Sequence, residues 1–223
     1  MGSMIELQAA DGHKLAAYRA EPAGKPRGGI VVIQEIFGVN KHIQSVADGY
    51  AADGYLVVAP AMFDRAQRGY DTGYSQPEIQ AGIAIMQKLD WKQTMQDAAA
   101  AVEAAKAAGK VGIVGYCWGG TVSWVAAARL AGLACSVPYY GGGMPGFIGE
   151  KPRCPTLCHF GEQDQSPTLE QAKAIAKAHP EITAHYYAGA GHGFNCDHRP
   201  SYNAEASKLA RERSLAFFRQ HVG

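Results

Sequence analysis

The chain has almost no surplus of charge and no long run of apolar residues. Its 223 residues include 21 Lys and Arg against 20 Asp and Glu, which gives a formal net charge of +1. A balanced charge of this kind gives no reason to expect nucleic acid or an anionic membrane surface as a partner. No apolar stretch is long enough to span a bilayer, and no secretory signal pattern opens the sequence. Both membrane proteins and nucleic-acid-binding proteins are therefore poor candidate classes.

Cysteine is also scarce, with five residues at irregular spacings. An odd number without a repeating pattern argues against a disulfide framework and predicts a reducing, cytoplasmic location. The segment 154–159 contains two cysteines and a histidine, but its spacing is not that of a zinc knuckle and it is typical of a buried strand. We therefore predict no metal site there. Residues 1–3, ahead of Met4, resemble a cloning remnant, so we expect Met4 to be the native start.

Segments typical of strands and of helices alternate along the chain. The predicted strands are 5–8, 14–19, 30–34, 55–59, 111–114, 134–139, 156–160 and 182–187, and the first two form a hairpin. The predicted helices are 41–53, 78–88, 92–108, 121–130, 168–178 and 204–221, with a long polar loop over 61–77 and a flexible turn over 141–146. This alternation predicts a three-layer α/β/α fold with a mostly parallel central sheet, in a single domain over residues 4–223. Ligands of such sheets bind beyond the carboxyl ends of the strands.

The segment Gly115-Tyr116-Cys117-Trp118-Gly119 follows a predicted strand and precedes a predicted helix. It matches the G-x-S-x-G nucleophile elbow, with cysteine in place of serine. In that motif a strained turn lifts the nucleophile above the sheet at the positive end of the helix, which favours the reactive thiolate. We therefore predict that Cys117 is a nucleophile. The alternative is a buried turn without a chemical role.

Two further residues follow predicted strands in the order of an elbow enzyme, which is nucleophile, acid and then histidine. Asp164 lies in the turn after strand 156–160, and His192 lies between two glycines after strand 182–187. A thiol nucleophile needs a base, and the base needs an orienting carboxylate. We therefore predict a triad of Cys117, His192 and Asp164, with Glu162 as the weaker candidate for the acid. Six other histidines are weaker candidates for the base and are expected to have surface roles; they are His13, His42, His179, His185, His198 and His221.

Glu35 and Ile36 directly follow the predicted strand 30–34. In an elbow enzyme the loop at this place supplies one amide of the oxyanion hole. We assign that role to the backbone N–H of Ile36, together with the N–H of Trp118, whose side chain is either a pocket wall or core. Glu35 would lie close to Cys117, where a desolvated carboxylate prefers its protonated form and can therefore accept the thiol proton. The alternative for Glu35 is a structural ion pair with an arginine.

Four motifs in combination resemble those of the dienelactone hydrolase family, the carboxymethylenebutenolidases of the α/β-hydrolase fold. They are Gln34-Glu35-Ile36-Phe37-Gly38, Gly115-Tyr116-Cys117-Trp118-Gly119-Gly120, Gly161-x-x-Asp164 and Gly191-His192-Gly193-Phe194, and the similarity extends over nearly the whole chain. The resemblance implies the α/β-hydrolase fold and a Cys117–His192–Asp164 triad, in which Glu35 holds the resting thiol and helps to ionise it. Cys117 would attack a lactone or enol-ester carbonyl, and water would release the acid. The resemblance implies no metal and no organic cofactor.

The sequence departs from the family at the arginines that bind the substrate carboxylate. The position of one family arginine falls near Ile79 in this chain, although Arg65 and Arg68 lie in the loop upstream. The other family arginine follows the triad histidine, but the residues directly after His192 are not arginines. Arg199 is the best remaining candidate, with a surface arginine beside Asp197 as the alternative. Aromatic residues are expected to line a pocket for a small planar or unsaturated ring, namely Phe37, Tyr70, Tyr74, Trp118 and Phe194.

Two other functions stay open. A carboxylesterase or thioesterase of broader range would not depend on a carboxylate in its substrate. A catalytically idle member of the fold would act as a ligand sensor or partner module. No surplus apolar stripe marks a docking face, so we expect a monomer.

Overall fold

A computed structural model describes residues 2–223 of the chain, and its centre is one sheet of eight strands. The strands are β1 (Ser3–Gln8), β2 (Lys14–Ala20), β3 (Gly29–Ile33), β4 (Leu56–Pro60), β5 (Val111–Tyr116), β6 (Leu133–Tyr139), β7 (Leu157–Gly161) and β8 (Thr183–Tyr187). Their order across the sheet is β1-β2-β4-β3-β5-β6-β7-β8. The pairs β1/β2 and β2/β4 are antiparallel, and all other pairs are parallel.

Six α-helices connect these strands. They are α1 (Lys41–Ala52), α2 (Gln76–Met86), α3 (Trp91–Ala105), α4 (Trp118–Arg129), α5 (Leu169–Ala178) and α6 (Ala204–His221). Polar side chains fix several of their starts, because the first N–H groups of a helix have no partner within it. Asn40 accepts from the Ile43 N–H at the start of α1, and Asp90 accepts from the Gln93 N–H at the start of α3.

The two faces of the sheet are covered by different helices. On one face, apolar residues of α3, α4 and α5 pack on the sheet in one hydrophobic cluster, with Ala98, Val122 and Ile175 among them. On the other face, α1 and α6 form a second cluster that includes Tyr50 and Phe218. Every residue of β3, β4 and β5 is buried, which explains why these strands are continuous apolar runs in the sequence. The predicted three-layer α/β/α fold is therefore confirmed.

The structure differs from the predicted elements mainly at the ends. Helix α4 begins at Trp118, three residues before the predicted start, because tertiary packing there outweighs the low helix propensity of Gly119 and Gly120. The glycine-rich turn predicted as flexible contains a short 3₁₀ helix, Met144–Phe147. Strand β1 already begins at Ser3, within the stretch interpreted as a cloning remnant. None of the helices in the described part of the chain is both long enough and apolar enough to cross a membrane.

His159 lies in β7 and is fully buried. Its Nδ1 lies 2.7 Å from the Tyr187 hydroxyl, and its Nε2 lies 3.0 Å from the Ser214 hydroxyl. Burial holds the pKa of His159 well below its ordinary value, so the ring is neutral in the folded protein. The unfolded chain takes up a proton at this residue below about pH 6.5. The free energy of unfolding should therefore decrease as the pH falls below that value, by up to about 1.4 kcal/mol per pH unit from His159.

Urea unfolding between neutral and mildly acidic pH measures this slope. His159→Gln should flatten it, whereas His221→Gln, at the end of α6, should leave it unchanged. Identical slopes in the wild type and in folded His159→Gln would contradict the expectation.

Candidate active site

Cys117 lies in the sharp turn between β5 and α4, with φ 57° and ψ −118°. A residue with a side chain in such a conformation is strained by about 1–3 kcal/mol, and the surroundings must hold it. The Cys117 N–H donates to the Tyr139 carbonyl at 3.1 Å. A Cβ on Gly115 would lie 1.8 Å from the Gly119 carbonyl oxygen, and a Cβ on Gly119 would lie 2.4 Å from the Gln34 carbonyl oxygen. The close approach of backbone therefore requires both glycines of the motif.

The loops after β7 and β8 bring an acid and a histidine to Cys117. Nε2 of His192 lies 3.0 Å from the Cys117 sulfur, and Nδ1 lies 3.0 Å and 3.2 Å from the two carboxylate oxygens of Asp164. Asp164 is buried, and its Oδ1 also accepts the Ser166 N–H at 2.8 Å. Glu162, the alternative acid, is exposed. In this chain of three groups a proton can pass from sulfur to imidazole while the carboxylate fixes the ring.

The electrostatics around His192 favour a protonated ring. Burial alone would lower the pKa of His192, but the Cys117 sulfur and the Asp164 carboxylate outweigh it and raise that pKa well above its ordinary value. In its neutral form, an imidazole whose pKa is raised in this way is a strong acceptor for a thiol proton. Tyr140 packs edge-on against the imidazole, with ring centroids 5.3 Å apart. Because Tyr140 is fully buried, it restricts how far the imidazole can move.

The loop between β3 and α1 carries Ile36 beside the elbow. Among the described residues, no backbone acceptor is bonded by the N–H of Ile36 or of Trp118. Trp118 is the first residue of α4, where an N–H has no partner within the helix. The loop is tied to the segment before α2, since the Thr72 N–H donates to the Phe37 carbonyl at 3.1 Å. Two backbone donors are thus free on the side of the nucleophile.

Helix α2 approaches this loop so closely that a side chain at Gly82 does not fit. A Cβ there would lie 2.3 Å from the Ile36 carbonyl oxygen. We expect Gly82→Ala to displace the Ile36 peptide and to lower kcat roughly 10- to 100-fold, because a misplaced donor stabilises an oxyanion poorly. Steady-state kinetics on a neutral ester measure this. The control is Gly146→Ala, whose Cβ would meet nothing within 4 Å and which should retain the wild-type kcat. Equal rates in both variants would show that this packing does not matter.

Glu35 is buried directly after β3, and Arg199 reaches it from the loop after β8. Nη1 of Arg199 lies 3.2 Å from Oε1 of Glu35. The ion pair with an arginine, which was the alternative expectation for Glu35, is therefore present in the structure. The alternative for Arg199, a surface arginine paired with Asp197, is not observed. The guanidinium carbon of Arg199 also lies 5.7 Å from the centre of the Phe37 ring. Burial alone would lower the pKa of Arg199, but Glu35 and other neighbouring groups outweigh it and raise that pKa.

A cavity of about 670 Å³ opens over these residues. Its walls include the triad and four other predicted site residues, namely Ile36, Phe37, Trp118 and Arg199. Four predicted site residues are not among its lining, namely Glu35, Tyr70, Tyr74 and Phe194. Phe194 is fully buried in the core, while Tyr70 packs on Phe63 and Tyr74 packs edge-on against Phe37.

Of the described residues that line the cavity, Arg199 alone carries a permanent positive charge. Arg65 is bound elsewhere, since its Nε and Nη2 donate to Asp97 at 2.7 Å and 2.8 Å. Arg68 is at the surface beside Glu6. Ile79, near which the second family arginine was expected, lines the cavity. Among the described residues that line the cavity, Arg199 is therefore the one permanently charged group that could bind an anionic substrate group.

The sequence analysis missed two features around this cavity. Helix α2 and the segment after it form an apolar wall of Ile79, Ile83, Met86, Leu89 and Trp91. The helical spacing of the first three was the available signal. The second feature lies behind Glu35, where His42 and Cys196 are both buried although His42 was expected to have a surface role. No local pattern reveals this, because three distant parts of the chain meet there.

Comparisons with known proteins find similarity over nearly the whole chain. The model of the dienelactone hydrolase family matches residues 15–222. The chain is 36% identical to a protein of Azospirillum brasilense provisionally named carboxymethylenebutenolidase, over 98% of the chain and 99% of the relative. It is 32% identical to the carboxymethylenebutenolidase of Pseudomonas putida, over 96% of the chain and 94% of the relative. A crystal structure from Klebsiella pneumoniae, provisionally named dienelactone hydrolase, superposes with a TM-score of 0.83 at 26% identity, over 98% of this chain and 99% of that one.

Proposed function

The chain belongs to the dienelactone hydrolase family, and on this premise we propose that it uses the thiolate of Cys117 to hydrolyse a small lactone or ester. Hydrolysis of ester bonds is the activity that the family membership gives. The observation that carries the finer proposal is the chain of contacts from the Cys117 sulfur to His192 and on to Asp164, each 3.0 Å long at its shortest. A nucleophile, a base and an orienting carboxylate in this order suit acyl transfer.

The proposed reaction has two halves. In the first, the thiol proton moves to His192 and the thiolate attacks the carbonyl carbon, while the N–H groups of Ile36 and Trp118 bind the developing oxyanion. His192 then gives its proton to the leaving oxygen, and an acyl thioester on Cys117 remains. In the second half, His192 takes a proton from water, and the hydroxide attacks the thioester. The carboxylic acid leaves and Cys117 is a thiol again.

Glu35 is proposed to take part in the first proton transfer. It is almost fully buried, and its Oε2 has no hydrogen-bond partner among the described residues. A carboxylate oxygen without a hydrogen-bond partner is available to accept a proton. We propose that an anionic substrate group competes with Glu35 for Arg199, which releases the carboxylate to accept the thiol proton first and to pass it on to His192.

The cavity supports a small substrate that is mostly apolar and bears one anionic group. Its wall from α2 is apolar, and Arg199 is its single permanent cation among the described lining residues. A lactone with a carboxylate on an unsaturated ring matches both features. We further propose that residues 4–223 form one catalytic domain, which acts as a monomer in the cytoplasm.

The test compares hydrolysis of cis- and trans-dienelactone with hydrolysis of p-nitrophenyl acetate, with Cys117→Ala as the blank. Fast loss of the dienelactone absorbance that requires Cys117 would support the proposal. Turnover of the neutral ester alone would favour the carboxylesterase of broader range. The apolar wall from Ile79 to Trp91 is also compatible with the uncharged substrates of such an enzyme. Absence of turnover on every ester would favour the ligand sensor.

Arg199→Gln should separate the first two outcomes. We expect kcat/KM on a carboxylate-bearing lactone to fall roughly 10- to 100-fold, because a charge-assisted hydrogen bond contributes about 1.5–3 kcal/mol. The neutral ester should lose much less. Because the change leaves Glu35 without its partner, the double variant Glu35→Gln/Arg199→Gln serves as a stability control, and Arg68→Gln controls for loss of a surface arginine. Equal losses on both substrates in folded Arg199→Gln would contradict a carboxylate-binding role.

A further inference from the structure

Behind the catalytic cavity, three potential metal ligands meet in a buried space. One donor atom each from Glu35, His42 and Cys196 lies within 4.8 Å of the other two. All three side chains are buried. Oε2 of Glu35 and Nε2 of His42 have no hydrogen-bond partner among the described residues. Buried polar atoms without partners are costly, so a space lined by two of them points to an additional bound group.

Two of these side chains are bound at one donor atom and leave the other donor atom without a partner among the described residues. Arg199 binds Oε1 of Glu35 at 3.2 Å and leaves Oε2 free. The Asp197 carboxylate lies 3.2 Å from Nδ1 of His42 and leaves Nε2 free. Ligands of protein-bound metals are typically oriented in this way by outer partners on their second donor atom.

The sulfur of Cys196 determines which metal suits the space. The phenol of Tyr74 lies beside it. Burial has the larger effect on the Cys196 thiol and raises its pKa, whereas the contact with Tyr74 lowers that pKa. Burial also raises the pKa of Tyr74, and Cys196 contributes to this rise. A thiolate with an imidazole and a carboxylate is a ligand set for Zn²⁺, whereas Mg²⁺ and Ca²⁺ prefer oxygen alone. Tetrahedral Zn²⁺ ligands lie roughly 3.5 Å from one another, so the widest gap here would close by roughly 1 Å on binding.

A second pocket reaches one of the three residues, His42, without involving the triad. This pocket, of about 190 Å³, is lined by His42 and Asp197 together with Ser45, Asn195 and Arg211. It shares no lining residue with the catalytic cavity. Asp197 lines this pocket and is exposed, so its carboxylate can attract a hydrated cation.

We propose that Glu35, His42 and Cys196 form a binding site for a transition metal of the Zn²⁺ class, separate from the catalytic triad. On binding, the Cys196 thiol gives its proton to solvent and its sulfur bonds to the metal, while water occupies the fourth position. If Glu35 has the catalytic part proposed above, the metal would withdraw it and inhibit hydrolysis. That consequence rests on the proposed function, whereas metal binding does not.

The test uses Cys117→Ala protein, so that the triad offers no sulfur to the metal, and Co²⁺ as the probe. Co²⁺ bound to a thiolate absorbs strongly in the near ultraviolet, whereas Co²⁺ bound to nitrogen and oxygen alone does not. We expect one Co²⁺ per chain with this absorption band, and displacement of Co²⁺ by Zn²⁺. Adding Cys196→Ser should abolish the band. Adding His42→Gln should weaken Co²⁺ binding by about tenfold or more.

Matched controls keep the outcome specific. Cys154→Ser changes another cysteine, and His198→Gln changes the ring that lies 5.8 Å from that of His42; neither should affect the band. Circular dichroism checks the fold of each variant. If Cys196→Ser does not fold, the effect of His42→Gln on Co²⁺ binding decides the test. Absence of the band in folded Cys117→Ala at millimolar Co²⁺ would overturn the site, as would a band that persists unchanged in both ligand variants. Because no hydrolysis is measured, failure of the proposed enzyme activity would not affect this result.

Discussion

Changing Cys117 to serine is expected to lower kcat/KM for the preferred lactone or ester about 100-fold or more, with the fold retained. The imidazole of His192 lies 3.0 Å from the sulfur and is suited to take a thiol proton. A hydroxyl group gives up its proton much less readily, so the attacking anion forms rarely. In Cys117→Ala, the only rate enhancement that should remain is the part contributed by the oxyanion donors and by substrate binding in the cavity. Steady-state kinetics on both substrate types measure the effect.

Cys154→Ser is the matched control for this change. Cys154 is also partly accessible, but it does not line the cavity, and the variant should retain wild-type kinetics. Urea unfolding should give similar midpoints for both serine variants, because serine differs little from cysteine in volume. Near-wild-type hydrolysis in Cys117→Ser would refute the thiolate mechanism.

Changing Asp164 to asparagine is expected to lower kcat roughly 10³- to 10⁴-fold. The buried Asp164 carboxylate receives the Nδ1 proton of His192 at 3.0 Å and thereby leaves Nε2 free to accept the thiol proton. An amide can donate to Nδ1 and so favour the tautomer with hydrogen on Nε2, which is the wrong one for proton transfer. The change also removes one of the charges that raise the pKa of His192, so that pKa should fall. The pH dependence of kcat/KM therefore reports on the same contact.

Glu162→Gln removes the same charge two positions earlier in the chain. Because Glu162 is exposed, we expect kcat and its pH dependence to stay close to wild type. A comparable loss in both variants would point to a general electrostatic effect on the loop. Full activity in Asp164→Asn would exclude Asp164 from the proposed triad.

The elbow and the order of the triad residues were predictable because they depend on local patterns. A strand, a glycine-flanked residue and a helix are adjacent in the sequence, and parallel strands present their carboxyl ends at one edge of a sheet. Asp164 and His192 follow β7 and β8 as expected, and the structure brings both to Cys117. Predicted strands agree with the observed ones to within one or two residues at most ends.

The directions of individual side chains were not predictable in this way. Phe194 follows the histidine motif, yet it points into the core between β8 and α6 and not into the cavity. The pairing of Arg199 with Glu35 joins residues from opposite ends of the chain, and no periodicity encodes it. His42 opens α1 next to Ile43, and its burial depends on the loop that carries Cys196 and Asp197. Such contacts arise from tertiary packing, which a local pattern does not specify.

The five unpaired cysteines differ greatly in their exposure to reagents. Cys135, Cys158 and Cys196 are buried, and burial raises the pKa of the half-buried Cys154 to about 11. Cys117 lines the cavity, and Nε2 of His192 lies 3.0 Å from its sulfur, where it could accept the thiol proton under the proposed mechanism. Alkylation and oxidation both require the thiolate. A mild alkylating reagent should therefore modify one cysteine per active molecule, and peroxide should inactivate the protein by converting the Cys117 thiol to a sulfenic acid. Under the proposed mechanism, the ease with which Cys117 forms a thiolate would make it both reactive toward substrate and sensitive to oxidation.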